Sequence, residues 1–521
     1  PTSPSELETW FRANGDWDYT IQNTLNWGHT FGKHDVRTLL GYEEYYSFEY
    51  NHNATKKGLI DPSIWAGDTA AEVIQSSGSA SDYASRSFFG RVNYVYADKY
   101  LFEANLRYDG SSRFSTASRW GLFPSFSAGW RIDQEKWMKN VKWLDQFRMR
   151  ASYGIQGNTI QSISPDLILA HQGVITQYSQ YGNSISSLPN PELTWESTQT
   201  WNVGIDLQLL KWITLTAEYY SRASDAIVYQ DVAREYGRTT MALNGGRVNN
   251  EGVEFTMNIT PIQSDKFSWT IGFNTSQNWN TALNIDSGLD QVIDFLNGAS
   301  GKILKKGYPL SAFWSYSFKG LNQETGYPEF NLDSEATTDP TDFLVYSGQK
   351  EPTFTGGLNT RIRWRDFSFS ADFSALLGAS KRLNNPFSTG ERMPSPYTNL
   401  DKELLNRWKQ PGDNTNIPAF YHGVTSSYIT LPNGSSQSIY DMWGSSDVRV
   451  VDASFLRCTQ MSLSWNASRR ICSKLKISDM MVSLTANNIF VICDKRFNGF
   501  DPELGNSVMP RIFSLGLNFG F

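Results

Sequence analysis

Apolar residues recur at every second position along this chain, and the positions between them carry polar groups and full charges. Phe147, Met149, Ala151 and Tyr153 alternate with Arg148, Arg150 and Ser152. Trp201, Val203, Ile205, Leu207 and Leu209 interleave with Asn202, Gly204, Asp206 and Gln208. Phe267, Trp269, Ile271 and Phe273 do the same with Ser268, Thr270, Gly272 and Asn274, and Phe126 to Ile132 repeats the pattern. A side-chain period of two is that of a β-strand, with one greasy and one hydrophilic face. The last ten residues follow suit: Phe513, Leu515, Leu517, Phe519 and the terminal Phe521 flank Ser514, Gly516, Asn518 and Gly520. If the apolar set meets lipid, the polar set lines water. A slip of one residue would then drive Arg148 and Arg150 into hydrocarbon at roughly 2–4 kcal/mol each near the midplane. A lone alternating strand also suits a soluble sandwich, so repetition along the chain has to carry the argument.

No window approaches the run of about 20 apolar residues that a membrane helix needs. Aromatics reach 14%, with 18 Trp, 25 Tyr and 31 Phe, as expected where aromatic girdles mark two membrane interfaces. A net charge of −6 without a basic stripe argues against a nucleic-acid partner. Cys458 falls in a strand register, Cys472 in a turn and Cys493 near a strand end; their odd number and spacing predict neither a disulfide framework nor a thiolate metal site. The five histidines form no HxxxH or HExxH pair, and His34 in Gly32-Lys33-His34-Asp35 reads as a tight-turn residue. The opening Pro1-Thr2-Ser3-Pro4 is that of a processed or truncated product, with no signal peptide.

Alternation and turn residues predict about fifteen strands, near 17–30, 35–48, 88–96, 100–108, 121–133, 146–155, 196–210, 213–225, 250–260, 266–279, 353–364, 367–377, 454–467, 479–492 and the closing segment. Links within hairpins are mostly short. Those between hairpins are long, near 51–87, 155–195, 226–249, 280–352, 378–453 and 494–510. Short turns on one side and long loops on the other fit an outer-membrane barrel with the long side extracellular. A soluble domain has no reason to sort its loops that way. The fold class expected is all-β, a transmembrane antiparallel β-barrel. Such a barrel closes with an even strand number, and an open edge in lipid leaves costly unsatisfied backbone groups. Fifteen strands therefore predict that residues 1–521 are the C-terminal portion of a larger barrel.

Several stretches resemble the SusC/RagA family of TonB-dependent outer-membrane transporters. They begin with Arg91-Val92-Asn93-Tyr94, Asp98-Lys99-Tyr100-Leu101 and Arg107-Tyr108-Asp109-Gly110-Ser111-Ser112-Arg113-Phe114. Arg119-Trp120-Gly121-Leu122-Phe123-Pro124-Ser125, Arg150-Ala151-Ser152-Tyr153-Gly154 and Asn190-Pro191-Glu192-Leu193-Thr194-Trp195-Glu196 follow in family order. Asn249-Asn250-Glu251-Gly252-Val253-Glu254, Arg407-Trp408 with Pro411-Gly412-Asp413, and Asp452-Ala453-Ser454-Phe455-Leu456-Arg457 complete the series. The resemblance implies a 22-stranded barrel of which these are strands eight to twenty-two, with the N-terminal plug and the TonB-contacting segment not present. It implies import of oligosaccharides or oligopeptides, a SusD-like surface lipoprotein as partner, TonB acting through the missing N-terminal part, and a bilayer with lipopolysaccharide in a Bacteroidetes-type outer membrane. A siderophore or cobalamin receptor and a passive porin are the alternatives.

Read plainly, the same motifs are architecture. Asp109 to Ser112 is turn chemistry, Asn190-Pro191 starts a strand, and Gly252 marks a bulge or a close approach. No GxSxG, Walker loop or GxGxxG is present, so no catalysis and no cofactor are expected; Gly298-Ala299-Ser300-Gly301-Lys302 lacks phosphate-loop spacing. Register places Arg148, Arg150, Asp206, Glu218, Asn274 and Asp372 on the lumen wall. Loop aromatics Trp65, Tyr178, Tyr181, Trp314, Tyr421 and Trp443 are the residues expected to stack on sugar faces or peptide side chains. Phe521 is the expected assembly signal.

Overall fold

The computed structural model describes residues 8–59, 70–159, 168–175, 180–236, 240–284, 292–298, 305–332, 335–387, 397, 399–421 and 428–521. It contains one 15-stranded antiparallel sheet whose strands follow chain order. These are β1 (Glu8–Phe31), β2 (His34–Leu59), β3 (Ala70–Tyr96), β4 (Tyr100–Ser111), β5 (Trp120–Arg131), β6 (Leu144–Asn158), β7 (Glu196–Leu209) and β8 (Ile213–Asp231). Then come β9 (Thr240–Gln263), β10 (Phe267–Ala282), β11 (Phe354–Trp364), β12 (Phe367–Leu377), β13 (Phe455–Asn466), β14 (Asp479–Cys493) and β15 (Ile512–Gly520). All fifteen segments expected from alternation are strands of this sheet. Several run longer than the pattern suggested: β1 to β3 have 24, 26 and 27 residues, because backbone pairing continues after the apolar alternation ends.

By packing, the chain forms two compact units. One comprises residues 1–129, 152–199 and 229–244, and the other residues 130–151, 200–228 and 245–521. In the first, β1 and β2 pair without interruption from Phe31↔His34 to Glu8↔Lys57 around the turn at Gly32 and Lys33, so His34 opens a strand immediately after the turn. Gly32 has φ +63°, a conformation that glycine adopts without strain. Two aromatic belts ring the apolar face. Phe31, His34, Tyr96 and Tyr100 form one, with His34 Nδ1 hydrogen-bonded to the Tyr94 hydroxyl at 2.8 Å. Tyr42, Phe88, Tyr108 and Trp120 form the other. Exposed Leu40, Val92, Phe102 and Leu106 fill the band between them. His34 and Tyr42 are eight residues apart on β2, roughly 20 Å along the normal at about 3.3 Å per residue and 40° tilt, so the belts bracket a hydrocarbon-sized band.

In the second unit the sheet again exposes one apolar face: Met149, Val203, Leu358, Leu463, Leu484 and Leu515 are open to the surroundings. An apolar surface on this scale belongs against lipid. The buried core lies elsewhere, in the long connections. Residues 283–353 and 378–454 contribute a three-stranded sheet (Ala312–Leu321, Pro328–Asn331, Leu344–Gln349), two two-stranded pairs and the helices α1 (Val292–Asn297) and α2 (Ile439–Gly444). Phe295, Trp314, Tyr316 and Met442 are at the heart of one cluster; Phe387, Tyr440 and Trp443 hold another.

Three local expectations are corrected. Cys472 is in helix α3 (Arg469–Leu475), not a turn: a full helical run fits before Lys476, whose left-handed φ of 57° and N–H bond to Cys472 O close it. Asp109, Gly110 and Ser111 are the last residues of β4, held by pairing to Ser87, Arg86 and Ser85, and the turn begins after them. Asn190-Pro191 does not start a strand: Asn190 accepts from Glu192 N–H and donates to Ala242 O, an Asx turn that pins the loop five residues before β7. Of the two readings of Gly252 the close approach holds, against the Gln277 carbonyl, and the bulge does not, because its pairing to Asn278 is regular and the register shift comes later, between Ile259 and Ile262.

Candidate functional site

Strand alternation puts Arg148 and Arg150 on one face of β6, and strands β7 and β8 supply carboxylates to the same face. Arg148 Nε and Arg150 Nε each lie 3.3 Å from Asp206 Oδ2 on β7, and Arg150 also pairs with Glu218 on β8. Asn202 donates to Glu218 at 3.0 Å and Thr216 to Asp206 at 3.1 Å. Gly204 makes this ladder possible, since a Cβ there would sit 2.9 Å from the Arg150 guanidinium carbon. Two cations and two carboxylates leave the patch neutral. Asn274 and Asp372 belong to a matching polar row: Asn274 faces Gly357, and Asp372 stands between Asn359 and Gln460 in register. The row's opposite face carries Phe273, Leu358 and Phe373.

The loop aromatics divide. Trp65 and Tyr178 lie outside the described residues, as does the side chain of Tyr181, and so do Ala299 to Lys302. Trp314 is 3% exposed, and its ring is surrounded by Phe295, Tyr308 and Tyr346 with centroids 5.0–5.8 Å away. Trp443 is 1% exposed; its indole N–H donates to Asn416 O at 2.8 Å, and Arg449 covers its face at 4.6 Å. Protein already occupies both rings, so a ligand would have to displace those neighbours to stack on them. Tyr421 is half-buried between Tyr327 and Tyr440. Phe521 ends the chain with its ring fully exposed.

The loops, with the ends of β12 and β13, line an open-sided cavity of about 690 Å³, within the range usual for ligand pockets. Its lining includes Lys350, Lys381 and Arg382, three cations that the alternation argument passed over because a Lys-Arg pair in a loop ordinarily reads as a solvated surface. The strand Ser380–Arg382 pairs with Val450–Asp452 and sets both side chains. Lys381 Nζ donates to the carbonyls of Pro502 and Glu503. Arg382 donates to Leu296 O at 2.6 Å, Trp314 O at 2.7 Å and Ser315 Oγ at 2.9 Å. Burial pulls the Arg382 guanidinium down to about 10, and burial followed by the charge of Arg382 holds the Lys350 amine below its usual range. At the cavity edge, Arg457 bonds Asp501 and Glu503 at 2.8 and 2.6 Å; burial raises the Asp501 carboxyl, but the bond from Arg457 brings it below the ordinary range. Among the described residues no group of His, Cys, Asp and Glu could hold a metal ion.

A family profile described as "TonB dependent receptor-like, beta-barrel" matches residues 2–401. The chain is similar to the TonB-dependent receptor SusC of Bacteroides thetaiotaomicron, 29% identical over 94% of this chain and 49% of the relative. It is also similar to the TonB-dependent receptor P3 of Formosa agariphila, 26% identical over 96% of this chain and 52% of the relative. It thus spans about half the length of the curated relatives it matches. The structure of the RagAB peptide transporter superposes with a TM-score of 0.77 at 23% identity, covering 99% of this chain and 56% of that one, a likeness of fold. The SusC/RagA resemblance read from the motifs holds.

Proposed function

This chain belongs to the TonB-dependent receptor-like β-barrel family of the outer membrane, and from that premise we propose that it forms part of a SusC-like importer of oligosaccharides or oligopeptides. The observation that carries this reading is the match to SusC over 94% of the chain. In this reading the Arg148, Arg150, Asp206 and Glu218 ladder is part of the water-facing wall. Its charge balance suits a passage that lets cargo slide without trapping it. The long connections carrying α1 and α2 are the extracellular side, the docking surface for a SusD-like lipoprotein that captures cargo. TonB supplies the work through a plug and contact segment that the longer relatives have room for. No residue here is assigned a catalytic step.

Intact mass spectrometry of the protein drawn from native outer membranes in detergent tests the proposal. A copurifying lipoprotein with a trapped oligosaccharide or peptide supports it and names the cargo class. A species with no partner and no cargo, together with steady ion conductance in a planar bilayer, would point to the passive porin instead.

A further inference from the structure

Arg382 is a half-buried cation without a counter-charge. Its three acceptors are two backbone carbonyls and a serine hydroxyl, all neutral, and its Nε has no hydrogen-bond partner. The guanidinium rests over the Phe313 ring at 5.3 Å. No carboxylate among the described residues lies within ion-pair distance of Arg382 or Lys350, and Lys381 feels Asp501 and Glu503 only at longer range. The one acid in the cavity lining, Glu503, is already engaged by Arg457 at 2.6 Å. A cation drawn partly out of water is costly unless paired, and half-buried Arg382 shares its cavity with half-buried Lys381 and exposed Lys350. Contrast the β6 to β8 ladder, where each arginine meets a carboxylate of this chain. The wall is balanced and the cavity is not.

Arg382, Lys381 and Lys350 around one cavity set up a positive field that suits a carboxylate better than a neutral group. Asn297 and Asn384 add amides to the same lining for the polar groups around such an anion. We propose that this cavity binds a carboxylate carried by the oligomer being imported, so that the preferred cargo is acidic. This rests on the import reading above and narrows its substrate class.

The test uses the protein purified from outer membranes with whatever accompanies it. Binding is measured by calorimetry at low and high salt with two matched pairs: oligogalacturonate against its full methyl ester, and a glutamate-containing peptide against its glutamine counterpart. The acid of at least one pair should bind about tenfold tighter than its neutral partner, with the margin shrinking in salt. Arg382→Gln should abolish the margin, but Arg382 also ties three groups of the loop core together. Lys350→Gln, at an exposed side chain, is the safer variant and should weaken the acid about three- to tenfold while leaving the neutral partner unchanged. Equal affinities within both pairs, or a Lys350→Gln variant that weakens acid and neutral forms alike or neither, would overturn the proposal while leaving import standing. Failure of all four oligomers to bind would count against both.

Discussion

The assignment of one sheet face to lipid and the other to water can be tested at a single pair of adjacent residues. Leu484 is in β14, paired in register with Leu463 on one side and Leu515 on the other, and all three are exposed. It lies five residues into a strand that starts at Asp479. At about 3.3 Å per residue and a tilt near 40°, that is roughly 13 Å along the membrane normal, the middle of a band about 25 Å tall. Arginine on the lipid face at that depth costs about 2–4 kcal/mol, so Leu484→Arg should lower the folding equilibrium constant by about 30- to 900-fold. Ser483 alternates to the opposite face, in register with Gly516 and Ser464, the water-facing side on this assignment. Ser483→Arg should cost no more than about 0.5 kcal/mol. Equilibrium unfolding in denaturant, followed by tryptophan emission with the protein folded into phospholipid vesicles, measures both. A Ser483→Arg cost equal to or above that of Leu484→Arg would refute the facial assignment, and the lumen positions of Arg148, Arg150, Asp206, Glu218, Asn274 and Asp372 with it.

Other outcomes follow from particular contacts. Asp501→Ala leaves Arg457, 4% exposed, with Glu503 as its only carboxylate, and should cost about 2–4 kcal/mol in the same unfolding assay, less than a fully orphaned buried charge. Because the Asp501 carboxyl is held below its ordinary range by Arg457, its contribution is complete above the unfolded value near 3.9 and is lost as pH falls through the folded one; the gap between wild type and Asp501→Asn should therefore close on acidification below about pH 4. Gly252→Ala should cost about 1–3 kcal/mol, since the new Cβ would run into the backbone carbonyl of Gln277 as well as the Tyr220 hydroxyl at 2.6 Å. Adding Tyr220→Phe should not restore the loss, and full restoration would show that only the flexible side chain mattered. A membrane-permeant maleimide should label half-buried Cys493 well ahead of buried Cys458 and Cys472, read by peptide mass mapping.

The sheet was legible because its determinants are local. Alternation at Phe147 to Tyr153 or Trp201 to Leu209 needs no knowledge of any partner strand, since each strand separates lipid-facing from water-facing residues on its own. The same rule placed Arg148, Arg150, Asp206 and Glu218 on a common face, where they meet as ion pairs. It erred in length for β1 to β3, where pairing persists through residues such as Asn51, His52 and Asn53 that have no apolar rhythm.

The loops were opaque for the opposite reason. Trp314 and Trp443 read as ligand-stacking rings because long polar connections ordinarily leave their aromatics at the surface. Their burial depends on partners 19 to 56 residues away in sequence: Phe295 and Tyr346 against Trp314, Asn416 and Phe387 against Trp443. No periodicity encodes such meetings. In a barrel whose strands spend their apolar residues on lipid, a folded loop assembly has to bring its own hydrophobic core, and large aromatics scattered through 283–353 and 378–454 are the material for it. Rings that hold the loops together are then unavailable to hold cargo. Recognition then passes to charges which that core does not neutralise, and in the described residues the clearest of these is the cationic lining at Arg382, Lys350 and Lys381.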